Sequence, residues 1–222
     1  MNRSTAAIRI NVTKFAAMVV GLGSVVVLLM GQEVAIRAQE AQTKAQTPPP
    51  KAQARPHGQR VKVDPAAIIV EDGDGVDIHW GNSDNEIVRI LGIDTPEVRR
   101  LEHNLPYDQP FGPEAKAFAQ GAFAAATDVE LLRSPTLDPY GRTLAYLFIN
   151  GRNYSVMVIK ARYSGETISH YGDNGLAKEA AEVTAAAKAG ANLLPFEPPF
   201  QYRARMRALT TALKQSGQYP GN

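Results

Sequence analysis

Residues 66–93 hold three short β-like runs in close succession: "AAIIVE", "GVDIHW" and "EIVRILGI". The first two flank a turn inside "EDGDGVDIHW", residues 71–80, where Asp-Gly pairs provide the positive φ that tight turns need. Runs this short, rich in Ile and Val and bounded by turn residues, read as adjacent strands. After "FGP", the stretch "EAKAFAQGAFAAA" puts Ala115, Phe118, Ala119, Ala122 and Phe123 at helical spacing, with Pro113 in the first turn. "DVELLR" and "TLAYLFI" are again strands, around "DPYG", and Asn150-Gly151 is a two-residue hairpin signal with a further strand from Arg152.

The remainder is helical. Ser155 can cap a short helix to about Arg162, and "GLAKEAAEVTAAAKAG" is a longer one ending at Gly190. Beyond "PFEPPF", Tyr202, Met206, Leu209 and Leu213 share one helix face, which leaves Arg203, Arg205 and Arg207 to a solvated face that could also help hold phosphate. Five short strands with a helix interposed, then helices, predict an α+β chain: a five-stranded barrel of the OB type, about three packed helices and an added C-terminal helix.

Residues 1–60 carry eight Lys and Arg against two Glu, so the 222-residue chain's net charge of +2 hides a basic N-terminal part and an acidic remainder. "MNRSTAAIRINVTK" followed by "FAAMVVGLGSVVVLLMG" is a positive stretch and then an apolar run, which predicts a targeting segment over 1–37. A signal peptide and an uncleaved membrane anchor both fit it, and either would place the rest outside the cytoplasm, exported or tethered. Residues 38–60, rich in Ala, Gln, Pro and Lys, lack the apolar side chains to repay ordering and are expected to be a disordered linker.

The acidic balance of 61–222 argues against nucleic-acid binding by bulk charge and leaves any phosphate recognition to local contacts. With no cysteine, a metal would have to sit on oxygen or histidine ligands. Asp94 ends an apolar strand, where an isolated buried carboxylate would be costly, and Asp74 lies in the preceding turn, so the two can converge. Two hard carboxylates with nearby carbonyls suit Ca2+ better than Mg2+. An EF-hand is excluded, because counting from Asp72 puts Val76 at a ligand position and Asp77 where glycine is required. Glu71, Asp72 and Asp77 are assigned turn and surface roles, and His57, His79, His103 and His170 show no ligand spacing.

Together "DGDGV", "VRILGIDTPE", "FGPEA" and "DPYGRTLAYLF" resemble the staphylococcal nuclease (thermonuclease) family from about Pro65 to Leu194. The resemblance implies an OB-fold enzyme that needs Ca2+ and hydrolyses DNA and RNA phosphodiesters without sequence specificity, leaving 3′-phosphates. It implies Asp74 and Asp94 as metal carboxylates, Thr95 as a carbonyl ligand, Glu97 as the carboxylate that orients or deprotonates water, and Arg89 and Arg142 as phosphate-binding arginines. Tyr140 and Tyr171 are implied as aromatic contacts to the nucleotide. Two departures stand out: Gly75 replaces the usual threonine, and "SVMV" stands where the family has a polar helix start.

The expected organisation is a targeting segment at 1–37, a linker at 38–60, a nuclease-like domain at 61–195 and a helical extension at 196–222, acting as a monomer. A non-catalytic OB module that binds nucleic acid or protein is the alternative, and a Ca2+-stabilised binding domain is a third reading.

Overall fold

Apolar residues alternate along the hairpin strands, and that alternation decides which face is buried. In β3 (Gly75–Gly81) Val76 and Ile78 are buried, and in β4 (Asp84–Ile90) Glu86, Val88 and Ile90 are. The turn between them carries positive φ at Asn82 and Ser83, the backbone form that matches the twist of paired strands. This computed structural model describes residues 51–190 and 194–220. The expected targeting segment, and the linker as far as residue 50, lie outside the described residues. Among the described residues no helix is long and apolar enough to cross a membrane.

One mixed sheet carries the fold. Its order is β1 (Arg60–Val63), β5 (Val129–Leu137), β6 (Thr143–Ile149), β4, β3 and β2 (Ile68–Val70), with β7 (Arg152–Asn153) also on β6. All pairings are antiparallel except β4 with β6, where Val88, Arg89 and Ile90 run parallel to Thr143, Leu144 and Ala145. The sheet curls into a partly closed barrel of the OB type, as expected from the strand pattern. Among the described residues seven strands form instead of five: the short β1 adds an edge beside β5, and the two-residue β7, at the strand expected from Arg152, pairs with β6 off the main order. Asn150 and Gly151 make the β6–β7 hairpin with positive φ, as their sequence predicts.

Five α-helices occur among the described residues: α1 (Gly112–Ala124), α2 (Tyr154–Lys160), α3 (Ile168–Tyr171), α4 (Ala177–Ala189) and α5 (Pro199–Gln215). The one beyond expectation is α3, a single turn too short to show periodicity. Ala115, Ala119 and Phe123 of α1 are buried, and Phe123 meets the fully buried Tyr154 ring at a 5.2 Å centroid separation. The cap of α2 is Asn153 and not Ser155: the Asn153 side chain accepts the Ser155 N–H, and Ser155 Oγ instead donates to the Leu91 carbonyl at 2.7 Å. Buried hydroxyls take a partner wherever one is in reach, and here that partner lies on the connection leaving β4.

Residues 51–59 depart from the linker expectation. Gln53 N–H donates to the Pro135 carbonyl, Gly58 N–H to that of Arg133, and Leu137 N–H to that of Lys51. Free backbone groups on the edge of β5 are what this polar stretch satisfies, an attraction that side-chain composition does not register.

Candidate active site

The turn before β3 and the end of β4 meet at the candidate site. Register pairs Gly75 with Arg89, and Ile90 N–H donates to the Asp74 carbonyl at 2.9 Å, so Asp74 is held beside Arg89. Arg89 then bridges the two expected metal carboxylates: Nη1 lies 2.5 Å from Asp74 Oδ1, and Nη2 lies 3.0 Å from Asp94 Oδ1 and from the Ile93 carbonyl. Burial alone would weaken the guanidinium's charge, but the neighbouring Asp74 and Asp94 hold its pKa above the ordinary arginine value. Thr95 N–H donates to Asp74 Oδ2 at 2.7 Å, which fixes the second oxygen of that carboxylate. Ser164 Oγ accepts the Asp94 N–H at 2.8 Å and tethers Asp94 to the loop that follows α2.

Close approach makes two glycines obligatory. A Cβ on Gly73 would lie 2.6 Å from Thr95 Oγ1, and one on Gly112 would lie 2.1 Å from the Glu97 carbonyl oxygen. The first turn of α1 therefore presses on the backbone of Glu97, and backbone cannot swing aside as a side chain can. Gln109, fully buried, completes this support. Its Oε1 accepts the Glu97 N–H at 3.2 Å, its own N–H donates to the Glu97 carbonyl at 2.9 Å, and Nε2 donates to the Glu197 carbonyl at 2.7 Å. Tyr154 Oη donates to the Gly73 carbonyl at 2.8 Å and supports the Asp74 turn from below.

Glu97 is pushed above the usual carboxylate range by burial, and the Asp74 carboxylate adds to this while Arg203 opposes it. That environment makes the carboxylate a better proton acceptor than an exposed one. The sequence did not assign Arg203 to the site. Its Nη1 donates to Asp94 Oδ1 at 2.9 Å and to Glu97 Oε1 at 2.5 Å, and Nη2 to Asp94 Oδ2 at 3.0 Å. The expected solvated face of α5 therefore holds for Arg205, which bridges the exposed side of Glu197, and fails for Arg203. Asp72 is likewise more than a turn residue. It accepts the Asp74 N–H at 3.0 Å, lies 3.1 Å from Arg100 Nη2, and is pushed up to about 7 by burial and by Asp74.

Arg142 is brought to the right face but not into the cluster. The parallel pairing of Arg89 with Leu144 puts Arg142 on the same side of the sheet as Arg89. Its Nε, however, donates to Asp138 Oδ2 at 2.6 Å within the turn that leads into β6. Asp138 Oδ1 also accepts the N–H groups of Tyr140 and Arg142, so one carboxylate shapes the whole turn. Tyr140 projects from it, 86% exposed, with the Arg142 guanidinium 5.8 Å from its ring centre. Tyr171, also exposed, ends α3 edge-on to His170.

The donor set at Asp74, Asp94 and the Thr95 carbonyl consists only of hard oxygens, which suits Ca2+. No preformed group of three or more His, Asp or Glu side chains holds a metal geometry among the described residues. The two carboxylates instead share guanidinium partners, and cations are what they gather.

Residues 87–193 match the family described as Staphylococcal nuclease homologue, and this stretch of the chain is similar to staphylococcal nuclease-like proteins. The thermonuclease of Staphylococcus intermedius is 37% identical over 92 residues, 41% of this chain and 52% of that protein. An uncharacterised protein of Methanocaldococcus jannaschii is 31% identical over 123 residues, and the endonuclease YncB of Bacillus subtilis 29% over 90, covering 46% and 40% of this chain and 58% and 41% of theirs. The chain thus matches only about half the length of these relatives. Asp74 and Arg203 both fall outside the family match, although each touches residues inside it.

Proposed function

We propose that the protein is a Ca2+-dependent nuclease that hydrolyses DNA and RNA phosphodiesters without sequence preference, leaves 3′-phosphates, and acts outside the cytoplasm. The observation that carries this reading is the bridging of Asp74 and Asp94 by Arg89, with Glu97 three residues further on. Ca2+ bound by Asp74, Asp94 and the Thr95 carbonyl would supply Lewis acidity toward a phosphate oxygen. Glu97, raised in pKa by burial, accepts the proton of the attacking water. Arg89 and Arg142 offer planar forks to the non-bridging oxygens, where charge grows as the bond to the leaving oxygen breaks. Arg142 must leave Asp138 to do so, and substrate phosphate is a competing acceptor of the same geometry. Tyr140 and Tyr171 offer exposed ring faces on which bases stack irrespective of sequence.

The test is incubation of the full chain with plasmid DNA and with RNA, in Ca2+ and in chelator, beside Asp74→Ala. Cleavage in Ca2+ only, lost in the variant, is expected, with 5′-hydroxyl ends that a kinase labels directly and 3′ ends that terminal transferase extends only after phosphatase treatment. Intact substrate under every condition, or full activity in Asp74→Ala, overturns the reading. A fall in activity with added salt is also expected, since phosphate contacts displace counterions.

A further inference from the structure

We propose that Arg203 is a built-in cation of the site: its guanidinium holds Asp94 and Glu97 when no divalent ion is bound, and a metal ion must displace it. This rests on the Ca2+-dependent reading above. Helix α5 is committed to the position by contacts that do not involve the site. Tyr202, Met206 and Leu209 pack on Leu105, Tyr202 Oη donates to the Tyr107 carbonyl at 2.8 Å, and Thr210 Oγ1 donates to that of Asn104 at 3.0 Å. Past the helix, Tyr219 Oη donates to the Leu101 carbonyl at 2.7 Å. All of these acceptors belong to the loop that begins at Glu97, so the helix and the catalytic carboxylate are mounted on one support.

Arg203 lies beside the buried stripe of Tyr202 and Met206, one residue round the helix, and 29% of its side chain is exposed. That exposure leaves it a path to solvent while α5 stays docked. Each carboxylate oxygen that it holds on Asp94 is one that a metal ion at Asp94 would need, and both cations cannot occupy those oxygens fully. Arg203 spends both of its terminal nitrogens on Asp94 and Glu97. The effect is a threshold: a contact closed in about nine molecules of ten weakens apparent metal affinity by about tenfold.

Calorimetric titration of Ca2+ into the full chain, without nucleic acid, tests this. Arg203→Gln should bind Ca2+ about tenfold more tightly than the wild type. Arg203→Lys, which keeps the charge but loses the fork, should fall between, and Arg205→Gln, on the same helix but paired with Glu197, should match the wild type. The Ca2+-induced rise in melting temperature should follow the same order, a pattern that a merely structural role for Arg203 would not produce. Equal or weaker Ca2+ binding in both Arg203 variants overturns the proposal and leaves the nuclease reading intact. Absence of Ca2+ binding in every variant, together with absence of cleavage, removes both.

Discussion

Two buried ion clusters sit in the same barrel, and they are built to different ends. In one, Glu86 of β4 accepts Arg133 Nε and Nη2, both at 2.7 Å, Thr143 Oγ1 at 2.7 Å and Trp80 Nε1 at 2.8 Å. Every hydrogen-bond partner stands on a strand and each oxygen is used twice, while Arg55 adds a longer ion pair at 3.7 Å from outside the sheet. Burial alone would raise the Glu86 pKa, but these hydrogen bonds outweigh it and hold the carboxylate below its usual value. In the other, Asp74 stands on a turn and Asp94 and Glu97 on the connection beyond β4, and their guanidinium partners come from β4 and from α5. There Glu97 is pushed up instead of down. A satisfied cluster fixes a fold, whereas a cluster with acids to spare keeps an appetite for further cations.

The comparison breaks if the two clusters respond alike. The largest expected effect is in Glu97→Gln, where cleavage should fall by about 10²–10⁴, the usual worth of a general base, while the melting temperature holds. Loss of fold instead of rate would make Glu97 structural. Arg133→Met should do the reverse and lower unfolding stability by about 3–5 kcal/mol, because Glu86 would be left buried without its fork; denaturant titration measures it. Gly112→Ala should cost about 1–3 kcal/mol by forcing the Glu97 backbone off α1, and should lower cleavage as well; it is the one substitution expected to move both readouts.

The smallest effect concerns acid. Because the folded pKa of Glu86 is depressed, its stabilisation is present above the carboxylate's unfolded pKa and is lost as pH falls through the lower folded value. Glu86→Gln should therefore flatten the acid limb of a stability profile, and an unchanged limb would mean that other carboxylates carry it.

Much of this was legible because it is local. The turn at Asp74 and the strand end at Asp94 are joined by a hairpin, so alternation and turn chemistry bring them together without knowledge of the rest. Asn150-Gly151 announced its hairpin for the same reason. Arg203 was hidden because an arginine at the border of an amphipathic stripe has the same spacing whether it faces water or a carboxylate. Gln109 was hidden because a loop amide has no periodicity at all, and its three bonds go to backbone groups. Asp72 was read as a turn residue, since nothing in its own neighbourhood foretells Arg100. Asn153 displaced Ser155 as the cap because β7 ends at Asn153 and the helix starts at once, two residues earlier than a Ser155 cap would place it.

The distances along the chain between site partners have a kinetic meaning. Arg89 finds Asp74 across 15 residues, but Tyr154 reaches Gly73 across 81 and Arg203 reaches Asp94 across 109. Contacts of such separation form late, since the loop they close must first be gathered. A chain emerging from its N-terminus can pair β3 with β4 early, yet it receives Arg203 only 109 residues after Asp94. Until then Arg89 faces the acids of the half-made site without Arg203.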